Sequence, residues 1–229
     1  MENLPLYGGE LSWSPLDWTS LDDTVRGGNS FSNFICDPSN PIATFSGNLD
    51  IKTLGNAGFA SQHTTGDDLG LDLSNYEGIL LDIKLSDGKK YTFSLMDQPS
   101  PSGPNGEVKS RISWDYDFIA NKFGDQQNIY WSDFKPYYRG REVSDTEPLN
   151  LKRIFRLSIM IKSFFGSQDG DFSISISSIS AFRNNGEKLS YDSSDDGFNG
   201  KMNFVEKNAM MEPLPRRLLG RIFGSCLRR

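Results

Sequence analysis

The sequence predicts an all-β fold, an antiparallel β-sandwich of the jelly-roll kind. Three observations carry this. Apolar residues recur at every second position in several short runs, turn-forming residues separate the runs, and no interior window sustains a helical period. Short alternating strands punctuated by turns build sandwiches and jelly rolls. A chain of 229 residues suits one large all-β domain. An aromatic content of 12% supplies rings that fill the space between two sheets.

The elements follow in order. In 43–52, Ala43, Phe45, Gly47, Leu49 and Ile51 alternate with polar residues, the pattern of a half-buried strand. Ile79, Leu81, Ile83 and Leu85 form one face of a second strand, and Tyr91, Phe93 and Leu95 one face of a third. Asp87-Gly88 between them predicts a two-residue hairpin with a type I′ turn. Ile112, Trp114, Tyr116 and Phe118 alternate with Ser113, Asp115 and Asp117. Phe155, Leu157, Ile159 and Ile161 alternate with Arg156, Ser158, Met160 and Lys162. The run 172–179 slips by one residue, and a bulge at Ser177-Ser178 restores its apolar face.

Residues 1–183 therefore read as the sandwich. Composition changes beyond it: 184–212 is polar and acidic, with few large apolar residues, and reads as a flexible linker. The segment 213–229 is basic and carries no acids. Leu218, Leu219, Ile222 and Phe223 make one apolar stripe at helical spacing, beside Arg217 and Arg221. This tail suits an anionic membrane surface, a partner's groove, or a disordered basic end.

Bulk charge narrows the partners. The net charge of −6 argues against nucleic-acid binding by the whole domain, which needs a basic face. Two cysteines, Cys36 and Cys226, make no disulfide framework. The first 25 residues hold acids and no arginine, so neither a secretory nor a mitochondrial address is legible, and the expectation is cytoplasmic. No cofactor and no metal is expected, since neither nucleotide loops nor metal-ligand spacings occur.

Candidate contact residues stand in three places. Asp22 and Asp23 precede Arg26 and a double glycine, and read either as acceptors for a partner or as carboxylates fixing a turn. His63, the single histidine, reads as a contact residue or a strand-end side chain bonded to a carbonyl. Trp131, Tyr137, Tyr138, Arg139 and Arg141 combine aromatics with arginines, as recognition surfaces do; the same set suits sugar stacking or an Arg–carboxylate clamp.

The segment Asp22-Asp23-Thr24-Val25-Arg26-Gly27-Gly28-Asn29-Ser30 resembles the D-D-x-V-x-G-G-x-S opening of the complex I intermediate-associated protein 30 family. Phe45-Ser46-Gly47-Asn48-Leu49, Gly58-Phe59-Ala60-Ser61 and Tyr76-Glu77-Gly78-Ile79 are similar to later family segments. Phe134-Lys135-Pro136-Tyr137-Tyr138-Arg139-Gly140-Arg141 resembles its F-x-P-x-x-R-G-R motif. The resemblance runs in order from Trp18 to Phe182. Arg26 stands where the family often has Met, and His63 where it often has Arg.

The resemblance implies a galactose-binding-like jelly roll. It also implies a non-enzymatic, chaperone-like role in binding unassembled protein subunits, with mitochondrial respiratory complex I as client. No catalytic residues transfer with it. A carbohydrate-binding module is the alternative, and acid–base catalysis at Asp22 or Asp23 is a third reading.

Overall fold

The structure is a computed structural model and describes residues 2–37, 40–66, 68–99 and 110–184. The expected linker from residue 185 onward and the tail 213–229 lie outside the described residues.

Thirteen strands are described: β1 (Glu2–Gly8), β2 (Trp18–Ser20), β3 (Phe31–Asp37), β4 (Asn40–Leu49), β5 (Phe59–Thr64), β6 (Gly78–Ser86), β7 (Lys90–Met96), β8 (Ile112–Ile119), β9 (Asp125–Tyr130), β10 (Lys135–Tyr138), β11 (Arg141–Glu142), β12 (Arg156–Lys162) and β13 (Gly170–Arg183). The helical elements among the described residues are three short 3-10 turns, at Pro15–Asp17, Asp23–Arg26 and Trp131–Asp133. A six-stranded sheet runs β3-β4-β13-β6-β9, with β1 also pairing β13. A seven-stranded sheet runs β11-β10-β8-β7-β12-β5-β2. The fold is the predicted antiparallel β-sandwich.

The core lies where the apolar faces of the two sheets meet. Phe45, Ile79, Leu81, Ile174 and Ile176 come from the six-stranded sheet, and Tyr91, Phe93, Leu95, Leu157 and Ile159 from the other; all are buried. Phe45 lies 4.9 Å from Phe172 and 6.2 Å from Tyr91, ring to ring, so aromatics span the interlayer. Each such side chain, fully buried, stabilises the fold by roughly 1.5–3 kcal/mol.

The expected hairpin at Asp87-Gly88 is absent. β6 belongs to the six-stranded sheet and β7 to the seven-stranded one, so the chain turns a corner between layers. Of the two residues only Gly88 has positive φ, at 83°, whereas a type I′ turn needs both. The Asp87 carboxylate holds the corner instead. It accepts from the Ser173 amide at 3.0 Å, the Lys89 amide at 2.9 Å and the Tyr91 hydroxyl at 3.0 Å, tying β13 to β7. Burial, reinforced by the Asp87 charge, pushes the Tyr91 phenol pKa far up.

The irregularity of β13 falls as expected. Its register against β6 shifts between Ile176 and Ser178, and also between Ser175 and Ile176. The carbonyl of Ser177 accepts from the Trp13 indole and the Gly9 amide, both at 3.1 Å, so the bulge leaves that oxygen satisfied.

Candidate functional site

Asp22 and Asp23 sit where the chain passes from β2 to β3, beside the open edge of the sandwich. Asp23 is 0% exposed. Its Oδ1 accepts from the Ser30 amide at 2.9 Å, and its Oδ2 from the Ser30 hydroxyl at 2.6 Å and the Phe59 amide at 3.2 Å. Asp22 accepts from the Ser32 amide at 3.0 Å, the Ser32 hydroxyl at 2.7 Å and the Ser61 amide at 2.9 Å. The Ser61 hydroxyl donates back to the Leu21 carbonyl. Each carboxylate therefore bridges β3, or the residue just before it, to β5. The pair is a clasp between the edges of the two sheets.

The double glycine serves the same clasp. A Cβ on Gly28 would collide with the Asp23 carboxylate. Ser30 donates to Asp23 and accepts from the Asp50 amide at 3.0 Å, extending the clasp to the end of β4. The Asp23 oxygens are thus enclosed and occupied by donors, which leaves no path to a partner. Arg26 is exposed nearby, its guanidinium 4.9 Å from the Phe59 ring centre.

A different surface carries the concentrated polar chemistry: the outer face of the seven-stranded sheet. Thr92 and Ser94 alternate with the core residues of β7, yet are 0% and 2% exposed. The Thr92 hydroxyl donates to Asp117 at 2.6 Å and the Ser94 hydroxyl to Asp115 at 2.8 Å. Lys162 on β12 reaches across β7 to both carboxylates, at 3.3 Å to Asp115 and 3.0 Å to Asp117. Its Nζ also lies 5.2 Å from the Tyr137 ring centre. Burial first, then the Asp117, Glu142 and Asp115 charges, raise the Tyr137 phenol pKa. Half-buried side chains of Tyr137, Met160, Arg156 and His63 stand around this buried polar floor.

Of the expected contact residues, Tyr137 and His63 share this face. They sit on β10 and β5, four strand steps or about 19 Å apart. His63 Nδ1 donates to the Thr64 carbonyl at 2.9 Å, and burial lowers its pKa. Trp131 lies elsewhere: its indole donates to the Tyr76 carbonyl at 2.6 Å and packs on Phe134, so it closes the end of β9. Tyr138, Arg139 and Arg141 form the exposed β10–β11 hairpin. Arg139 and Gly140 both have positive φ there, as a two-residue turn requires. Arg139 lies over the Tyr138 ring at 5.4 Å and donates to Ser110 at 3.3 Å. The tail residues Leu218, Leu219, Ile222, Phe223, Arg217 and Arg221 lie outside the described residues.

Sequence reasoning missed Asp115, Asp117, Thr92, Ser94, Ser158 and Lys162 as a group. Each occupies a polar position of an alternating run, which reads simply as a solvent side. The one local signal is Asp115 and Asp117 at i and i+2, two like charges on one side of a strand that call for a cation between them.

Comparison with known proteins adds three findings. The family model described as complex I intermediate-associated protein 30 matches residues 10–176. The chain is 42% identical to the protein C9E9.15 of Schizosaccharomyces pombe over 187 residues, 80% of this chain and 85% of that one. Among solved structures, it resembles the family 11 carbohydrate-binding module of cellulase Lic26A-Cel5E of Clostridium thermocellum. That match has a TM-score of 0.52 at 18% identity and covers 79% of this chain and 94% of the module. The family 11 module in complex with a mixed-linked tetrasaccharide gives 0.51 at 19% identity, over 73% and 89%. At such identities the likeness is one of fold.

Proposed function

The chain belongs to the complex I intermediate-associated protein 30 family, and from that premise we propose that it is a non-enzymatic, chaperone-like binding protein. In this reading it holds unassembled subunits while a multisubunit complex is built, with mitochondrial respiratory complex I as client. The observation that carries the reading is the outer face of the seven-stranded sheet. Its floor is fixed by the Asp115–Lys162–Asp117 bridge, so little side-chain freedom is lost when a partner docks. Tyr137, Met160 and Arg156 around it are of the types enriched where proteins meet.

The test is capture of the tagged full-length chain from native mitochondrial and cytosolic extracts after crosslinking, read by mass spectrometry. The reading expects complex I subunits with the wild type and a roughly tenfold loss with Tyr137→Ala/Met160→Ala, at an unchanged melting temperature. Equal recovery of those subunits by both proteins, or by neither, sinks it.

A second reading has one observation in its favour. The Tyr137 ring shares its face with two carboxylates, the combination a sugar site uses, although Lys162 already occupies one side of that ring. Binding to a soluble glucan in calorimetry, abolished by Tyr137→Ala while subunit capture stays intact, would replace the first reading with this one.

A further inference from the structure

Two phenylalanines project into solvent without packing. Phe123 is 95% exposed and Phe165 94% exposed, on the β8–β9 and β12–β13 turns. The β12–β13 turn carries a strained backbone. Phe164 and Phe165 are consecutive left-handed residues, with φ of 45° and 61°. Bulky side chains avoid that region, at a cost of about 1–2 kcal/mol per residue. Phe164 is held by cations, its ring centre 4.7 Å from Lys90 Nζ and 5.2 Å from Lys162 Nζ. The turn wraps the Ser163 carbonyl, which accepts from the Gly166 and Ser167 amides at 3.0 and 2.9 Å, and it leaves the Phe165 ring in solvent with no such cation over it. Strain of this kind collects at functional positions.

Both turns lie at one end of the sandwich. The Ser86 amide donates to the Lys122 carbonyl at 3.3 Å, which sets the β8–β9 turn against the β6–β7 corner. Lys122 Cε lies 3.8 Å from where a Cβ on Gly88 would sit. Gln168 bonds both the amide and the carbonyl of Lys90, at 3.0 and 2.8 Å, which sets the β12–β13 turn on the other side of the same corner. The strands feeding the two tips, β8 and β12, flank β7, two strand spacings or about 10 Å apart. Lys122 precedes Phe123 on its turn, Lys89 and Lys90 lie at the β6–β7 corner, and the Lys84 carbonyl lies 3.3 Å from where a Cβ on Gly124 would sit, so four lysines belong to this end. The carboxylates at this end are Asp87 and Asp125, both engaged by internal donors, Asp50, which accepts from the Thr53 amide at 2.9 Å, exposed Asp171, which accepts from the Asn48 side chain at 2.7 Å, and exposed Asp169.

We propose that this end docks on an anionic membrane surface, with Phe123 and Phe165 inserting below the headgroups and the lysines meeting the lipid charge. Two isolated ring tips on separate turns, fringed by long-stemmed lysines on a chain of net charge −6, suit a fluid surface that fills in around each ring. A folded partner calls for one contiguous apolar patch instead.

The test is co-sedimentation of the full-length chain with phosphatidylcholine vesicles, with and without about 30% phosphatidylserine. The proposal expects pelleting on the anionic vesicles that falls as salt rises. Burying one Phe ring even partly contributes enough that Phe165→Asn lowers the partition about tenfold, and Phe123→Ser/Phe165→Asn abolishes it. Asn accepts the left-handed backbone, so Phe165→Asn keeps or raises Tm, which separates lost docking from lost folding. A second readout is Phe123→Trp, whose added fluorescence is quenched by brominated lipid. Wild type left in the supernatant with every vesicle overturns the proposal. So does equal pelleting of wild type and the double variant, which would assign membrane contact to the basic tail.

Discussion

Replacing Asp23 by alanine is expected to cost about 3–5 kcal/mol of folding stability, a large share of the roughly 5–15 kcal/mol a domain has. The Ser30 amide, the Ser30 hydroxyl and the Phe59 amide all lose their acceptor in a site with no access to water. At about 2–4 °C per kcal/mol, Tm should fall by about 6–20 °C. Asp23→Asn is expected to do nearly as badly. Oδ1 and Oδ2 each face a backbone N–H, so either orientation of the amide turns its NH2 against a donor. Asp22→Ala should cost less, because that residue is only half-buried. Urea denaturation followed by tryptophan fluorescence measures all three. An Asp23→Ala protein with native stability would contradict the clasp and return this residue to the list of partner contacts.

Lys162→Ala should produce the second large effect, about 2–3 kcal/mol after allowance for solvent screening. The side chains of Lys162 and Asp117 are 20% and 27% exposed, and that of Asp115 only 5%. Without the lysine, two carboxylates on one strand face each other with no cation between them. Lys162→Met keeps the apolar stem and removes only the charge. Similar losses in both variants, by calorimetry, identify the charge as the stabilising part; a neutral Lys162→Met would assign the effect to packing of the stem. Lys162→Ala should also free the Tyr137 ring, which its ammonium now covers. A gain in glucan binding by that variant would favour the carbohydrate reading.

The strands that the sequence announces are those with apolar alternation. β4, β6, β7, β8, β12 and β13 all carry it and all appear, the expected β4 run stopping at Leu49 rather than continuing to Lys52. β5 stays hidden because the residues that face inward from it are Ala60, Gln62 and Thr64. Ile129 is the one large buried side chain of β9, and β10 holds a proline. Asp87-Gly88 misleads for a related reason: a turn signal marks where the chain bends but not whether the next strand joins the same sheet.

The candidate sites divide along the same line. The Asp22-to-Ser30 motif is local, so its importance shows in the sequence. Its task does not, because two of the six donors come from Phe59 and Ser61, nearly forty residues on. The polar face is assembled from β7, β8, β10 and β12. Lys162 meets Asp115 across 47 residues of chain, and nothing short of the sheet order brings them together.

The family motif clasps the sandwich shut, and under the proposed function a separate surface, the outer face of the seven-stranded sheet, would meet the client. Hydroxyl-radical footprinting of the full-length chain, free and carrying its captured client, tests that separation most directly, since Met160, Tyr137 and His63 on the face are all reactive to the radical. The account predicts that oxidation at Met160 and Tyr137 falls when the client is bound, while Leu21, Val25 and Phe31 around the clasp keep their reactivity. Protection at Leu21, Val25 and Phe31 with Met160 and Tyr137 unchanged would contradict it and place the client on the clasp.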